Sequence, residues 1–216
     1  EAFARRYGAK ESLISCGGST LCIQAMLALA AGPGEKILFF RNIHKAALDA
    51  MIPVLEKDYG NPSSLHQLGQ QAADLLADAR KRIASSIGAQ PDEIYFTSGG
   101  TEADNWAITQ IARAGAEKGK KHIISTAFEH HAVLHTLKRL EKSGFTVTLL
   151  DVHKDGIVRV DELKAAIRPD TCLVTVMYAN NEIGTIQPIA EIGAVCREHG
   201  IPFHTDAVQA AGHLPI

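Results

Sequence analysis

The sequence predicts an α/β fold, a mostly parallel sheet with helices on both faces, and three observations predict it. From Asn61 onward, short apolar runs alternate with longer segments whose apolar residues recur every three or four positions. Strands separated by helical segments need crossovers, which join parallel rather than hairpin neighbours. Finally, stretches rich in glycine, histidine, amide and carboxylate sit where each strand gives way to a loop or helix, the edge at which open α/β sheets bind ligands.

The elements follow in order. Ser63 or Ser64 can cap a helix carrying Leu65, Leu68, Ala72, Leu75, Leu76, Ala79 and Ile83 on one face, and Gly88 ends it. Residues 94–97 read as a buried strand. A helix over 102–114, a strand over 122–125, a helix over 131–142 and a strand over 146–150 come next. A short helix over 161–167, a strand over 172–178, a helix over 189–199 and a strand over 202–206 complete the run.

Composition narrows the function. The apolar share of 46% supplies a sizeable core, and the net charge of −2 gives no electrostatic case for nucleic acid or an anionic membrane. No apolar run approaches the ~20 residues needed to cross a bilayer. The opening Glu1-Ala2-Phe3-Ala4-Arg5-Arg6 has neither an initiator Met nor the order of a signal peptide, so the expectation is a cytoplasmic piece of a longer protein. Cys16, Cys22, Cys172 and Cys196 show no CxxC spacing and read as buried, reduced thiols. The histidines show no familiar zinc spacing, so no metal is expected.

Four stretches carry the chemistry. Gly99-Gly100-Thr101 lies between strand and helix, where free amides and the helix dipole attract a phosphate; an ordinary capped turn would look the same. Asp206 ends an apolar strand, where a carboxylate needs a partner. A protonated pyridine nitrogen would serve, and a helix cap is the alternative. Gln209 and Asn181 could reach a ring hydroxyl, and His130 offers a flat imidazole for stacking and proton transfer. The set suits pyridoxal 5'-phosphate, whose cationic ring is an electron sink.

These residues carry a resemblance. Asn61-Pro62-Ser63-Ser64-Leu65-His66, the run from Phe96 to Asn105, Glu129-His130, the run from Asn180 to Pro188, and the run from His204 to Gln209 resemble the cysteine desulfurases, of the class V aminotransferase group. The resemblance covers residues 48–216 and implies an incomplete large domain of the aspartate-aminotransferase-like fold (fold type I). It implies Gly100 and Thr101 at the phosphate, His130 stacked on the ring as a catalytic group, Asn181 and Gln209 near the ring hydroxyl, and Asp206 at the ring nitrogen. It also implies L-cysteine as substrate, alanine and an enzyme persulfide as products, and iron-sulfur cluster assembly as destination. A homodimer and a sulfur-acceptor or scaffold protein are the implied partners.

Residues 1–47 depart from that pattern. Gly17-Gly18-Ser19-Thr20, the run Gly32 to Lys36 and the run Arg41 to Lys45 resemble the ornithine/lysine/arginine decarboxylases. Gly17-Gly18-Ser19 with His44 would then be a partial duplicate of Gly99-Gly100-Thr101 with His130. The expected organisation is therefore a decarboxylase-like module at 1–47 and a truncated desulfurase large domain at 48–216. By the same resemblance, the lysine that holds the cofactor and the cysteine that receives sulfur would lie beyond Ile216, leaving this chain inactive alone. The rival readings are an amino-acid decarboxylase and a non-catalytic fragment of the same fold.

Overall fold

The computed structural model describes residues 45–214. Residues 1–44 of the proposed 1–47 module, with its duplicate cradle, Cys16 and Cys22, lie outside these. The chain forms two compact units that divide between Phe96 and Thr97.

In the first unit, α1 spans Lys45–Glu56 and α2 spans Gln67–Ser86, followed by a 3-10 turn at Pro91–Glu93. The cap of α2 is neither expected serine. His66 caps it, its Nδ1 accepting the Gly69 N–H at 3.3 Å. The amides of Ser63 and Ser64 are already engaged by Asn61, through its Oδ1 and its carbonyl. The apolar stripe is also placed differently. Ala72 is buried, but Leu65 is 92% exposed, and Leu68, Leu75, Leu76 and Ile83 are exposed too. Periodicity identifies an apolar face, not what covers it.

Residues 94–97 form no strand among the described residues. Ile94 is extended, but its carbonyl accepts from Arg80 Nε at 3.2 Å, and the Arg80 guanidinium lies 5.0 Å from the Phe96 ring centre. An apolar run becomes a strand only beside a ladder partner, and here a side chain from α2 takes that place.

The second unit holds the sheet. Its elements are α3 (Gly100–Glu117), β1 (His122–Thr126), α4 (His131–Lys142), β2 (Thr146–Leu150), α5 (Val160–Ala166), β3 (Thr171–Thr175), α6 (Ile189–Glu198) and β4 (Phe203–His204). The four strands run parallel in the order β2-β1-β3-β4. Successive strand residues face opposite sides, which separates two cores. Ile123 and Leu173 pack with Ile108 of α3 and Val133 and Leu137 of α4. Ile124 and Val174 pack with Leu163 of α5 and Ile192 and Val195 of α6. Helices therefore cover both faces.

Several helices share one stop. After α2, α3, α4 and α6 a glycine adopts positive φ (Gly88, Gly119, Gly144, Gly200), and the next amide bonds back to the last helical turn. At the opposite end of β1 from the site, fully buried His122 ties three strands together. Its ring nitrogens bond the Thr171 and Thr148 hydroxyls at 2.8 and 2.9 Å, and burial lowers its pKa.

Candidate functional site

The strand order creates a topological switch. The chain leaves β1 toward β2 on one side and leaves β3 toward β4 on the other. Such divergence leaves a crevice between the carboxyl ends of the two central strands, here β1 and β3. The stretches singled out in the sequence gather on this edge.

Glu129 spans the switch. It follows β1, and its Oε1 accepts the Met177 N–H just beyond β3 at 2.9 Å and the Thr126 hydroxyl at 2.7 Å. The side chain is 4% exposed, and Oε2 is buried without a hydrogen-bond partner. Burial pushes its carboxyl up to about 7, against the pull of both hydrogen bonds and with the help of charges on Asp206 and Asp104.

Asp206 lies two residues beyond β4 and is 7% exposed. Its carbonyl accepts the Tyr178 N–H at 2.9 Å, holding the turn against the end of β3. Oδ1 accepts the Val208 N–H at 3.0 Å, so the capping role is real but engages one oxygen. The other oxygen has no hydrogen bond within the described residues.

Gly99 begins α3 without any side-chain cap. Ser98 donates both its amide and its hydroxyl to Glu102 at 2.6 Å, and these bonds lower the Glu102 pKa. The amides of Gly100 and Thr101 are left without a partner among the described residues. A Cβ on Gly100 would stand 3.0 Å from Val208 Cγ2, so the turn after Asp206 packs on the start of α3.

The amide pair splits in role. Buried Asn180 is structural: Nδ2 donates to the Phe128 carbonyl at 3.0 Å, and Oδ1 accepts the amides of Glu182 and Ile183 at 2.9 Å each. Asn181, next to it, is exposed. Gln187, in the same motif, is buried and holds Gly156 and Val158. His130 caps α4 through Nδ1, which accepts the Ala132 N–H at 3.2 Å, and its ring centre lies 6.1 Å from that of His131. Thr101 and Gln209 are exposed.

The contacts joining the four stretches thus run through Glu129, Val208 and Asn180. No such contact ties the His130 ring or the amides of Asn181 and Gln209 to Asp206. Two groups within the quoted runs were given no role from the sequence. His204 Nδ1 bonds Thr175 Oγ1 at 2.8 Å, and its Nε2 lies 3.5 Å from Asp104 Oδ1. Asp104 had a readable signal, an acid one turn before Ile108 and two before Ala112 on a buried helix face.

Among the described residues no group of His, Cys, Asp and Glu is placed to hold a metal ion. Cys172 and Cys196 are buried free thiols, and burial pushes Cys196 up to about 11. An open recess of about 710 Å³ lined by Asp151, His153, Lys154, Asp155 and Arg159 contains none of the site residues. Within it Arg159 pairs with Asp155 at 2.6 Å. No described helix is long and apolar enough to cross a membrane.

Comparison with known proteins gives a consistent result. The family model described as aminotransferase class-V matches residues 42–216. The chain is 56% identical over 174 residues to the cysteine desulfurase IscS of Methanosarcina thermophila, covering 81% of this chain and 43% of that protein. It is 50% identical over 175 residues to the probable mitochondrial cysteine desulfurase of Dictyostelium discoideum, covering 81% and 39%. The chain therefore spans less than half the length of these relatives. Among solved structures it resembles SspA in complex with cysteine (42% identity, 81% of this chain and 50% of that one, TM-score 0.76). It also resembles a NifS-like protein (39% identity, 81% and 48%, TM-score 0.77).

Proposed function

From the membership of this chain in the class-V aminotransferase family, we propose that it is the large-domain part of a pyridoxal-phosphate-dependent cysteine desulfurase, which takes sulfur from L-cysteine and leaves alanine. The observation that carries this reading is Asp206, a carboxylate nine-tenths buried with one oxygen capped and the other open. That is the complement of a cationic ring nitrogen. The uncapped start of α3 beside it fits a phosphate on the same molecule.

On this reading Gly100 and Thr101 give their amides, and Thr101 its hydroxyl, to the phosphate. Asp206 takes the ring nitrogen, and Asn181 and Gln209 serve the ring hydroxyl. His130 would hold the ring face and serve as the proton-moving group, its Nδ1 already oriented by the Ala132 amide. When bound, the cofactor supplies an electron sink for charge developing at the substrate α-carbon. The homology with cysteine desulfurases supports L-cysteine as substrate. A homodimer, a sulfur acceptor or scaffold, a role in iron-sulfur cluster assembly and a cytoplasmic location belong to the same proposal. The relatives include proteins named as mitochondrial, so compartment differs within the group.

Equilibrium dialysis with pyridoxal phosphate tests the cradle. Saturable binding is expected, weakened at least about tenfold in Asp206→Asn, equivalent to ~1.4 kcal/mol. No saturable binding would overturn the cofactor reading for this chain. In the whole protein, with a thiol reductant present to release the sulfur, alanine and sulfide from cysteine are the expected products, whereas carbon dioxide and an amine would identify a decarboxylase.

A further inference from the structure

Glu129 has no part in the cofactor cradle described above, yet its side chain bridges the topological switch. Its placement is unusual for an ionised carboxylate. One oxygen is fixed by the Met177 amide and the Thr126 hydroxyl, while the other is buried with no donor near it. An anionic oxygen stripped of water and of donors is strongly disfavoured, whereas a neutral carboxyl there forfeits far less. The neighbours add to this. Asp206, in the turn after β4, and Asp104, on α3, both carry charges that act on Glu129 in the same direction as burial. His204 of β4 stands beside Asp104, so the imidazole on this edge is directed to Asp104. His130 follows Glu129 directly and spends its Nδ1 on the α4 cap.

We propose that Glu129 is a positioning residue for Asp206: it is held as the neutral acid while Asp206 is the anion, and it releases its proton when a cationic ring nitrogen settles on Asp206. The first half concerns this chain alone, and the second rests on the cofactor reading above. The balance is simple. A cation at Asp206 cancels the field that retains the Glu129 proton, the O–H bond breaks, the electron pair stays on the carboxylate, and the proton passes to the buffer. Through the Met177 amide, the same carboxyl fixes the end of β3 from which the Tyr178 amide reaches the Asp206 carbonyl.

The first test needs no cofactor. Carbon-13 NMR of the full chain labelled at the glutamate side-chain carboxyl is followed from pH 5 to 9. One carboxyl is expected to titrate near pH 7, to vanish in Glu129→Gln, and to move to lower pH by about half a unit or more in Asp206→Asn or Asp104→Asn. Circular dichroism identifies the variants that fold, and either aspartate variant suffices. No glutamate titrating above pH 6, or a midpoint unmoved by removal of either aspartate charge, overturns the proposal.

The second test adds pyridoxal phosphate at pH 7, with binding measured by dialysis and proton release by calorimetry in two buffers. The wild type is expected to release about half a proton more than Glu129→Gln. Equal release with binding intact overturns the proton link alone. Failure of the wild type to bind overturns the cofactor reading and with it the second half of the proposal, while the NMR result decides the first.

Discussion

Glu129 and His122 lie at opposite ends of β1, and burial moves each toward its neutral form, with opposite consequences for stability. Glu129 rises from an ordinary 4.5 to about 7, so the folded state holds a proton that the unfolded state releases. Its contribution is present below the unfolded value and is lost as pH climbs through 7. His122 is lowered, so the unfolded state binds the extra proton. Its contribution is present above the ordinary histidine range and is lost as pH falls below it. The two therefore oppose each other between pH 5 and 7, and substitution separates them. Relative to wild type, Glu129→Gln is expected to gain stability by roughly 2–3 kcal/mol as pH rises across that window. His122→Asn is expected to lose stability over the same rise. Denaturant unfolding at stepped pH reads both, and two variants moving together with pH would contradict the assignment. Residue identity placed both groups near strands, but neither protonation preference was legible, because burial and partners from other strands set it.

Elements show the reverse balance. The stops of α3, α4 and α6 are written in Gly119, Gly144 and Gly200, since a backbone at positive φ selects glycine wherever the chain later packs. The span of α4 and that of β2 match the sequence expectation residue for residue. Helix-to-strand spacing is not written so openly. Gly115, in the last turn of α3, would place an added Cβ 2.4 Å from the Cβ of Cys172 on β3, so the two elements meet through the missing side chain. In an isolated helix Gly→Ala stabilises by about 1 kcal/mol. At this contact overpacking outweighs that gain, and Gly115→Ala is expected to destabilise by ~1–3 kcal/mol. Thermal unfolding reads it, and an unchanged or raised Tm would show that α3 can shift away from β3. The cap of α2 likewise depends on where the chain enters the helix: His66 directly precedes it, and its Nδ1 accepts the Gly69 N–H.

At the scale of the molecule, the parallel order β2-β1-β3-β4 makes both the two cores and the site. Leu163 is fully buried on the α5–α6 side of the sheet, against strand residues that include Ile124 and Val174. Leu163→Ala is expected to cost ~2–5 kcal/mol, measured by denaturant unfolding, because a cavity there is enclosed between sheet and helices. A cost under 1 kcal/mol would mean that α5 collapses onto the space. The same truncation at Leu65 removes little buried area, since it is 92% exposed. The first unit thus shows where pattern and packing part: α2 is amphipathic by sequence, and its leucines stay partly exposed, between 37% and 48%, in the described structure.

The sequence by itself determined the fold class, most element spans, the helix stops and the motifs that mark the family. Each of these depends on local chemistry, such as apolar period, glycine at positive φ, or a short run of residue types. Tertiary structure alone decided which strands neighbour one another, and so where the switch lies. It decided that Asn180 and Gln187 secure loops while Asn181 is exposed. It decided that residues 94–97 lack a ladder, and that Glu129 meets Met177 and the charge of Asp206. Those outcomes depend on groups distant in sequence sharing one buried volume, where desolvation and charge act over a few ångströms and no single segment contains both partners.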